Sequence, residues 1–242
     1  MRIHVILLCT LTLFHLKSGA QSLTVHYEQR VNTEKQLREI ADPEIKKQVS
    51  YMLSKPSNYI LNYENGISLY LKTPKETVAE DLNIDQSVKF KTITLSSDDS
   101  GIYKNFKTKE YLHGVDILGK SFLVKDKLEP YEWKLEDEEK NIGEHRVGKA
   151  TAKINNLDIV AWYAKDIPVQ DGPKHYYGLP GLILELVEEN NTYQAVSIKP
   201  NDNKLEITKP SKGKVVTFKE YNEIRDEKIN EVRKNARSML GN

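Results

Sequence analysis

Cysteine is all but absent from this 242-residue chain: the single one, Cys9, sits inside an apolar run near the N-terminus. Once that run is removed, no disulfide framework and no thiolate nucleophile can exist. An excess of charge of either sign is also missing. Lysine and arginine number 36 against 35 aspartates and glutamates. Nucleic acid is therefore not an expected partner, because its phosphates call for a basic face. Beyond residue 20 no apolar run approaches the ~20 residues of a membrane-spanning helix. Catalytic signatures are lacking too. Gly119-Lys120-Ser121 and Gly66-Ile67-Ser68 begin like a nucleophile elbow but lack its closing glycine. There is no glycine-rich phosphate loop, no H-E-x-x-H and no acidic calcium loop. Neither a cofactor nor a metal is expected.

What is present begins with export. Residues 1–20 have the form of a secretory signal peptide: Arg2, a largely apolar run, then the small residues Ser18-Gly19-Ala20. Leu8 stands before Cys9 where a lipoprotein acceptor needs a small residue. Cleavage after Ala20 is expected, placing residues 21–242 in the periplasm or outside the cell as one domain. Arg2 and Lys17 leave with the peptide and no acid does, so the mature chain stays within one charge of neutrality. Its length suffices for one sizeable core.

Periodicity two dominates the chain. Leu23 to Tyr27 alternates, as do Tyr59, Leu61 and Tyr63, then Ile67, Leu69 and Leu71 after the hairpin signal Asn65-Gly66. Further strands are expected at 87–95, 101–107, 110–117, 120–126, 130–136, 145–154, 157–164, 181–188, 192–199 and 204–208. Two helices flank this array. One, roughly 34–54, starts at the Thr33/Gln36 capping spacing and restarts at Asp42-Pro43. The other follows the Thr217/Glu220 spacing and carries Phe218, Tyr221, Ile224, Val232 and Met239 along one face. The expected fold is mainly β (α+β): a large antiparallel sheet, curved or half-barrel, with an N-terminal and a C-terminal helix. Lys149, Thr151 and Lys153 line one face of a strand, which rules out a lipid-facing barrel wall there.

The most distinctive stretch runs Trp162-Tyr163, Ile167-Pro168, Gly172-Pro173, then Gly178-Leu179-Pro180-Gly181-Leu182-Ile183. Pro180-Gly181 fits the centre of a type II turn, with Gly181 at positive φ. Gly178 fits a close backbone approach. Together with Trp133-Lys134-Leu135, Asn141-Ile142-Gly143 and Lys149-Ala150, this array resembles the GLPGLI family, exported proteins abundant in Bacteroidetes and of undefined function. The resemblance covers roughly residues 130–187. Many members carry Cys two residues before the Lys-Ala pair. Here that position is Val147, so a thiol role does not carry over.

A rigid loop of this composition either holds strand register or rims a cleft. In the second case Trp162, Tyr163, Tyr176 and Tyr177 form an aromatic wall, with Gly178, Leu179, Pro180 and Gly181 as the rim. Asp166, Asp171 and His175 share the loop, and His26, His113 and His145 lie elsewhere, without metal-ligand spacing. Glu136-Asp137-Glu138-Glu139 is placed at a hairpin tip and read as solvated. The expectation is a non-enzymatic envelope protein that binds an apolar ligand or a partner protein on a concave sheet face. The alternative is a periplasmic or secreted hydrolase with no recognisable motif.

Overall fold

The computed structural model describes residues 22–38, 40–73 and 101–240. The signal segment expected at 1–20 and the strand expected at 87–95 lie outside them. The described chain starts in the middle of its sheet. β1 (Ser22–Val31) is followed by α1 (Glu34–Arg38) and α2 (Pro43–Ser54), and then by β2 (Ser57–Glu64), β3 (Ile67–Lys72), β4 (Gly101–Asn105), β5 (Glu110–Ile117) and β6 (Lys120–Lys127). From β1 to β6 each strand pairs antiparallel with the one before. A second meander follows: β7 (Lys134–Ile142), β8 (His145–Ile154), β9 (Leu157–Ala164), β10 (Leu182–Glu188) and β11 (Asn191–Pro200). β11 pairs antiparallel with β1 and joins the two meanders into one open sheet. β12 (Lys214–Val216) adds at the edge, parallel to β6, and α3 (Phe218–Leu240) follows.

The sheet is therefore mixed rather than purely antiparallel. The reason lies in residues 201–213. They run as a strap instead of forming the strand expected at 204–208. The Leu205 amide donates to the Glu64 carboxylate at 3.1 Å, and Lys209 reaches Glu110 at 2.5 Å. Crossing the sheet in this way supplies the long connection that a parallel pair requires. The expected N-terminal helix is two pieces, because Asp42 caps α2 afresh, accepting from the Glu44 and Ile45 amides at 2.8 and 3.1 Å. The Thr217/Glu220 box forms as the spacing predicts: the Thr217 amide donates to Glu220 at 2.7 Å and the Glu220 amide to Thr217 Oγ1 at 3.2 Å. Asn65 and Gly66, with φ of 52° and 81°, make the expected type I′ hairpin turn.

Two corrections concern the middle of the chain. Residues 130–133 are not strand, and Glu136 to Glu139 lie inside β7, with a register shift between Leu135 and Glu139. The hairpin tip falls at Gly143-Glu144 instead. As the sheet's last strand, β7 needs charge to keep its open edge from pairing with another chain, which accounts for the acidic run.

The sheet cannot be flat. β6 and β7 are ten strand positions apart in sheet order, which would be ~48 Å at the usual ~4.8 Å spacing. The connection from Lys127 to Lys134 can span at most ~25 Å fully extended. The ends of the sheet must curl toward each other. One large apolar cluster accordingly unites side chains from both meanders, from Tyr70 and Val124 to Val147 and Leu184. The opposite face carries two smaller clusters, around Tyr163 and around Tyr103.

Candidate functional site

β9 and β10 are antiparallel neighbours, with Ala164 opposite Leu182. The loop between them, residues 165–181, thus leaves the sheet and returns at the same place. Its own backbone gives it form. The Ile183 amide donates to Asp171 O at 2.9 Å, the Leu182 amide to Ile167 O at 3.0 Å, and the Gly178 amide to Gln170 O at 3.0 Å. Val169, Tyr176 and Leu179 are buried, so most of the loop's apolar side chains are core.

Three clasps hold the loop down. The first is Lys104 of β4, which is fully buried with Asp171. Its Nζ lies 2.5 Å from Asp171 Oδ1 and donates to the carbonyls of Gly172 and Lys174 at 3.1 and 2.9 Å. Asp171 Oδ1 also accepts the Gly172 amide at 2.8 Å, whereas Oδ2 has no partner among the described residues. Burial lowers the Lys104 ammonium's pKa, and the Asp171 charge works against that shift. The second clasp is the connection before β7. Trp133 Nε1 donates to Tyr177 O at 2.9 Å, the Tyr131 hydroxyl to His175 O at 3.3 Å, and the Tyr177 hydroxyl to Glu129 O. The third is Glu188 of β10, which accepts from Tyr176 at 2.9 Å and pairs with Lys174 at 2.5 Å.

The hexapeptide's glycines exchange the roles expected of them. Gly178 carries the positive φ, 93°, and a Cβ there would meet only Trp133 Nε1, at 3.9 Å. Gly181 has no positive φ. A Cβ on it would stand 2.0 Å from the Ala164 carbonyl oxygen, so this is the position of close approach. The loop must re-enter against the end of β9, and only a residue without a side chain fits.

The other expected residues are placed as follows. Trp162 and Tyr163 do point to opposite faces. Trp162 is half-buried, with Lys140 Nζ 4.3 Å from its ring centre. Tyr163, Tyr176 and Leu179 are buried, and Pro180 is exposed. Of the eight, Tyr177 is the one that lines a pocket of about 230 Å³ between the loop, the end of β6 and the start of α3. Its other walls are Tyr111, Tyr131, His175 and Phe218, with Asp126, Glu129 and Asn155 among the polar lining groups. The rings support one another: Tyr131 and Tyr177 lie 5.1 Å apart, His175 and Phe218 6.0 Å. The imidazole reaches the pocket but is walled by rings, and burial pushes its pKa well below the usual value of 6.5. The Tyr177 phenol is pushed up to about 12 by burial and by the nearby acids Glu129 and Asp171. Both groups are thus neutral at neutral pH.

The histidine and carboxylates named from the sequence do not converge. Asp171 is engaged by Lys104, and Asp166 Oδ2 contacts His145 Nδ1 at 2.8 Å. Among the described residues no cluster of three or more His, Cys, Asp or Glu could hold a metal ion. His145 and Ser197 do border a second cavity, of about 350 Å³, where β10 parts from β11. They do not form a hydrolytic triad. Ser197 pairs with His26, next to the Val25–Ile198 pair that faces the large cluster, so its hydroxyl points to the opposite face. His145 alternates with Val147 on the large cluster's side.

Sequence reasoning missed Lys104, Tyr111, Tyr131 and Phe218 as parts of this site. All five residues of β4 are buried, and nothing in Gly101-Ile102-Tyr103-Lys104-Asn105 distinguishes its lysine from a solvent-facing one. Phe218 and Tyr111 meet only because β12 returns the chain to β6.

Fold and site together define an open, mixed β-sheet domain with a clasped loop and a ring-lined pocket. A family model described as "Protein of unknown function (Porph_ging)" matches residues 153–185, the stretch from the end of β8 through β9 and the loop into β10. No curated protein matches the chain. Two solved structures, of PNGF-II in the C2 and P21 space groups, are similar in fold. Their TM-scores are 0.55 and 0.52, at 16% and 17% identity, covering 86% and 84% of this chain. The chain spans about a third of the length of either PNGF-II chain, covering 33% of each. At that identity the likeness concerns the fold alone. No described helix is long and apolar enough to cross a membrane.

Proposed function

We propose that this is an exported cell-envelope protein of the GLPGLI type, non-enzymatic, that binds a partner protein through the ring-lined pocket at its signature loop. The observation that carries the reading is the burial of the loop itself. Had the large sheet face been an open apolar trough, an acyl chain could lie in it. Instead Ile167, Val169, Tyr177 and Leu182 pack into the cluster on that face, which is interrupted by the separate cavity of about 350 Å³ beside His145 rather than left open as a trough. What remains open beside the loop is about 230 Å³, below the ~300–1,000 Å³ of pockets that enclose small molecules. Such a pocket suits one side chain of a larger partner, whose backbone stays outside. Aromatic walls of this kind supply much of the energy at protein interfaces. The hydrolase alternative has no supporting geometry in the groups described.

The test is a side-chain and lipid titration of the purified mature protein, followed by NMR of its aromatic rings. Capped single amino acids should shift Tyr111, Tyr131, Tyr177 and Phe218, and the response should vanish in Phe218→Ala. Palmitate should leave these signals unmoved. Palmitate binding with no response to any side-chain probe would restore the reading in which the concave face binds an apolar ligand.

A further inference from the structure

We infer that the group this pocket accepts is the guanidinium of an arginine on the partner polypeptide. The inference rests on the reading above and adds the chemistry of the occupant. The pocket offers rings and acceptors, with Lys127, Asn155 and His175 as the donors among its lining groups. Tyr177 spends its one hydroxyl hydrogen on Glu129 O, and Tyr131 spends its own on His175 O. Each then shows an incoming group only a π face and oxygen lone pairs. Two carboxylates, Asp126 and Glu129, line the pocket against one cation, Lys127. Asp126 already serves the Lys127 and Phe218 amides, at 2.8 and 3.1 Å, while Glu129 is exposed at the rim. An occupant that supplies hydrogens, carries positive charge and stacks flat on a ring satisfies all of this at once.

Arginine meets those conditions better than lysine. Its guanidinium is planar, holds five donors and is weakly hydrated, whereas an ammonium is a compact, strongly hydrated charge. Cations over tyrosine faces recur elsewhere on this fold, as with Lys209 over Tyr103 at 5.1 Å. The Tyr131, Tyr177 and Phe218 faces have no such internal cation among the described contacts. Rings without a cation, beside an exposed carboxylate, are the arrangement cation–π recognition uses.

The experiment titrates full-length mature protein with N-acetyl-arginine amide, its uncharged citrulline counterpart and N-acetyl-tryptophan amide, followed by the pocket ring signals. Arginine should bind at least about fivefold more tightly than citrulline. Glu129→Gln, which alters only an exposed side chain, should weaken arginine severalfold and leave citrulline unchanged. Equal binding of arginine and citrulline, or binding of tryptophan without arginine, overturns the guanidinium inference and leaves the pocket reading standing. If no probe moves the rings, both fall.

Discussion

Lys104→Met is the most informative perturbation of the loop. Methionine keeps most of the side-chain stem and removes the ammonium. Asp171 then stays fully buried with no cation, and its Oδ2 already lacks a partner among the described residues. The carbonyls of Gly172 and Lys174 lose their donor as well. Removing one member of a buried pair costs about 3–5 kcal/mol, a large share of the ~5–15 kcal/mol that stabilises a domain. Asp171→Asn should cost less, about 1–3 kcal/mol, since the ammonium keeps both carbonyls and has an amide oxygen in place of the carboxylate oxygen, though it loses its counter-charge. Urea unfolding by circular dichroism, compared at constant m, measures both losses. A Lys104→Met protein within ~0.5 kcal/mol of the parent would refute the reasoning. It would mean that water reaches the pair and that the loop is not pinned through it.

Gly181→Ala should lose upward of ~3 kcal/mol, because its Cβ would overlap the Ala164 carbonyl at 2.0 Å; Gly178→Ala should lose ~1–2 kcal/mol from strain at positive φ, and exposed Pro180→Ala under ~1 kcal/mol. Urea midpoints in any other order contradict the roles assigned here. Because burial holds His175 below its unfolded pKa of 6.5, the unfolded chain binds more protons as pH falls below 6.5. Stability should therefore drop there, by at most ~1.4 kcal/mol per unit and less for the part of the ring that water reaches, and His175→Phe should flatten that slope in a pH series of melts. Thr217→Ala should cost ~0.5–2 kcal/mol by removing half of the α3 capping box, read from thermal unfolding.

Local rules carried far along this chain. Strands at 110–117, 145–154 and 157–164 were legible from alternation, with the turn at Asn65-Gly66 and the caps at Asp42 and Thr217. These depend on neighbours in sequence. The parallel β12, the strap at 201–213 and the β7 strand depend on what lies across the sheet, and alternation cannot report that. The acidic run illustrates the difference: Glu136 to Glu139 reads as a solvated tip until the topology makes β7 an edge. The site followed the same division. The rigidity of the loop was visible in its prolines and glycines. Its anchor, Lys104, lies 67 residues before Asp171, six strand positions away from β9 in the sheet. The aromatic wall was expected from Trp162, Tyr163, Tyr176 and Tyr177, yet three of the pocket's rings come from β5, the β6–β7 connection and α3.

Native-state hydrogen exchange of the loop amides tests the central claim most directly. Gly178, Leu182 and Ile183 donate to Gln170, Ile167 and Asp171 inside the clasped structure. If the loop is a fixed wall of the pocket, these amides should exchange only through global unfolding, with the same free energy as the core amides of β1. Exchange several orders of magnitude faster than in β1 would show that the loop opens on its own and uncovers the large apolar face. That result would contradict the partner-binding account and favour binding of an apolar ligand on that face.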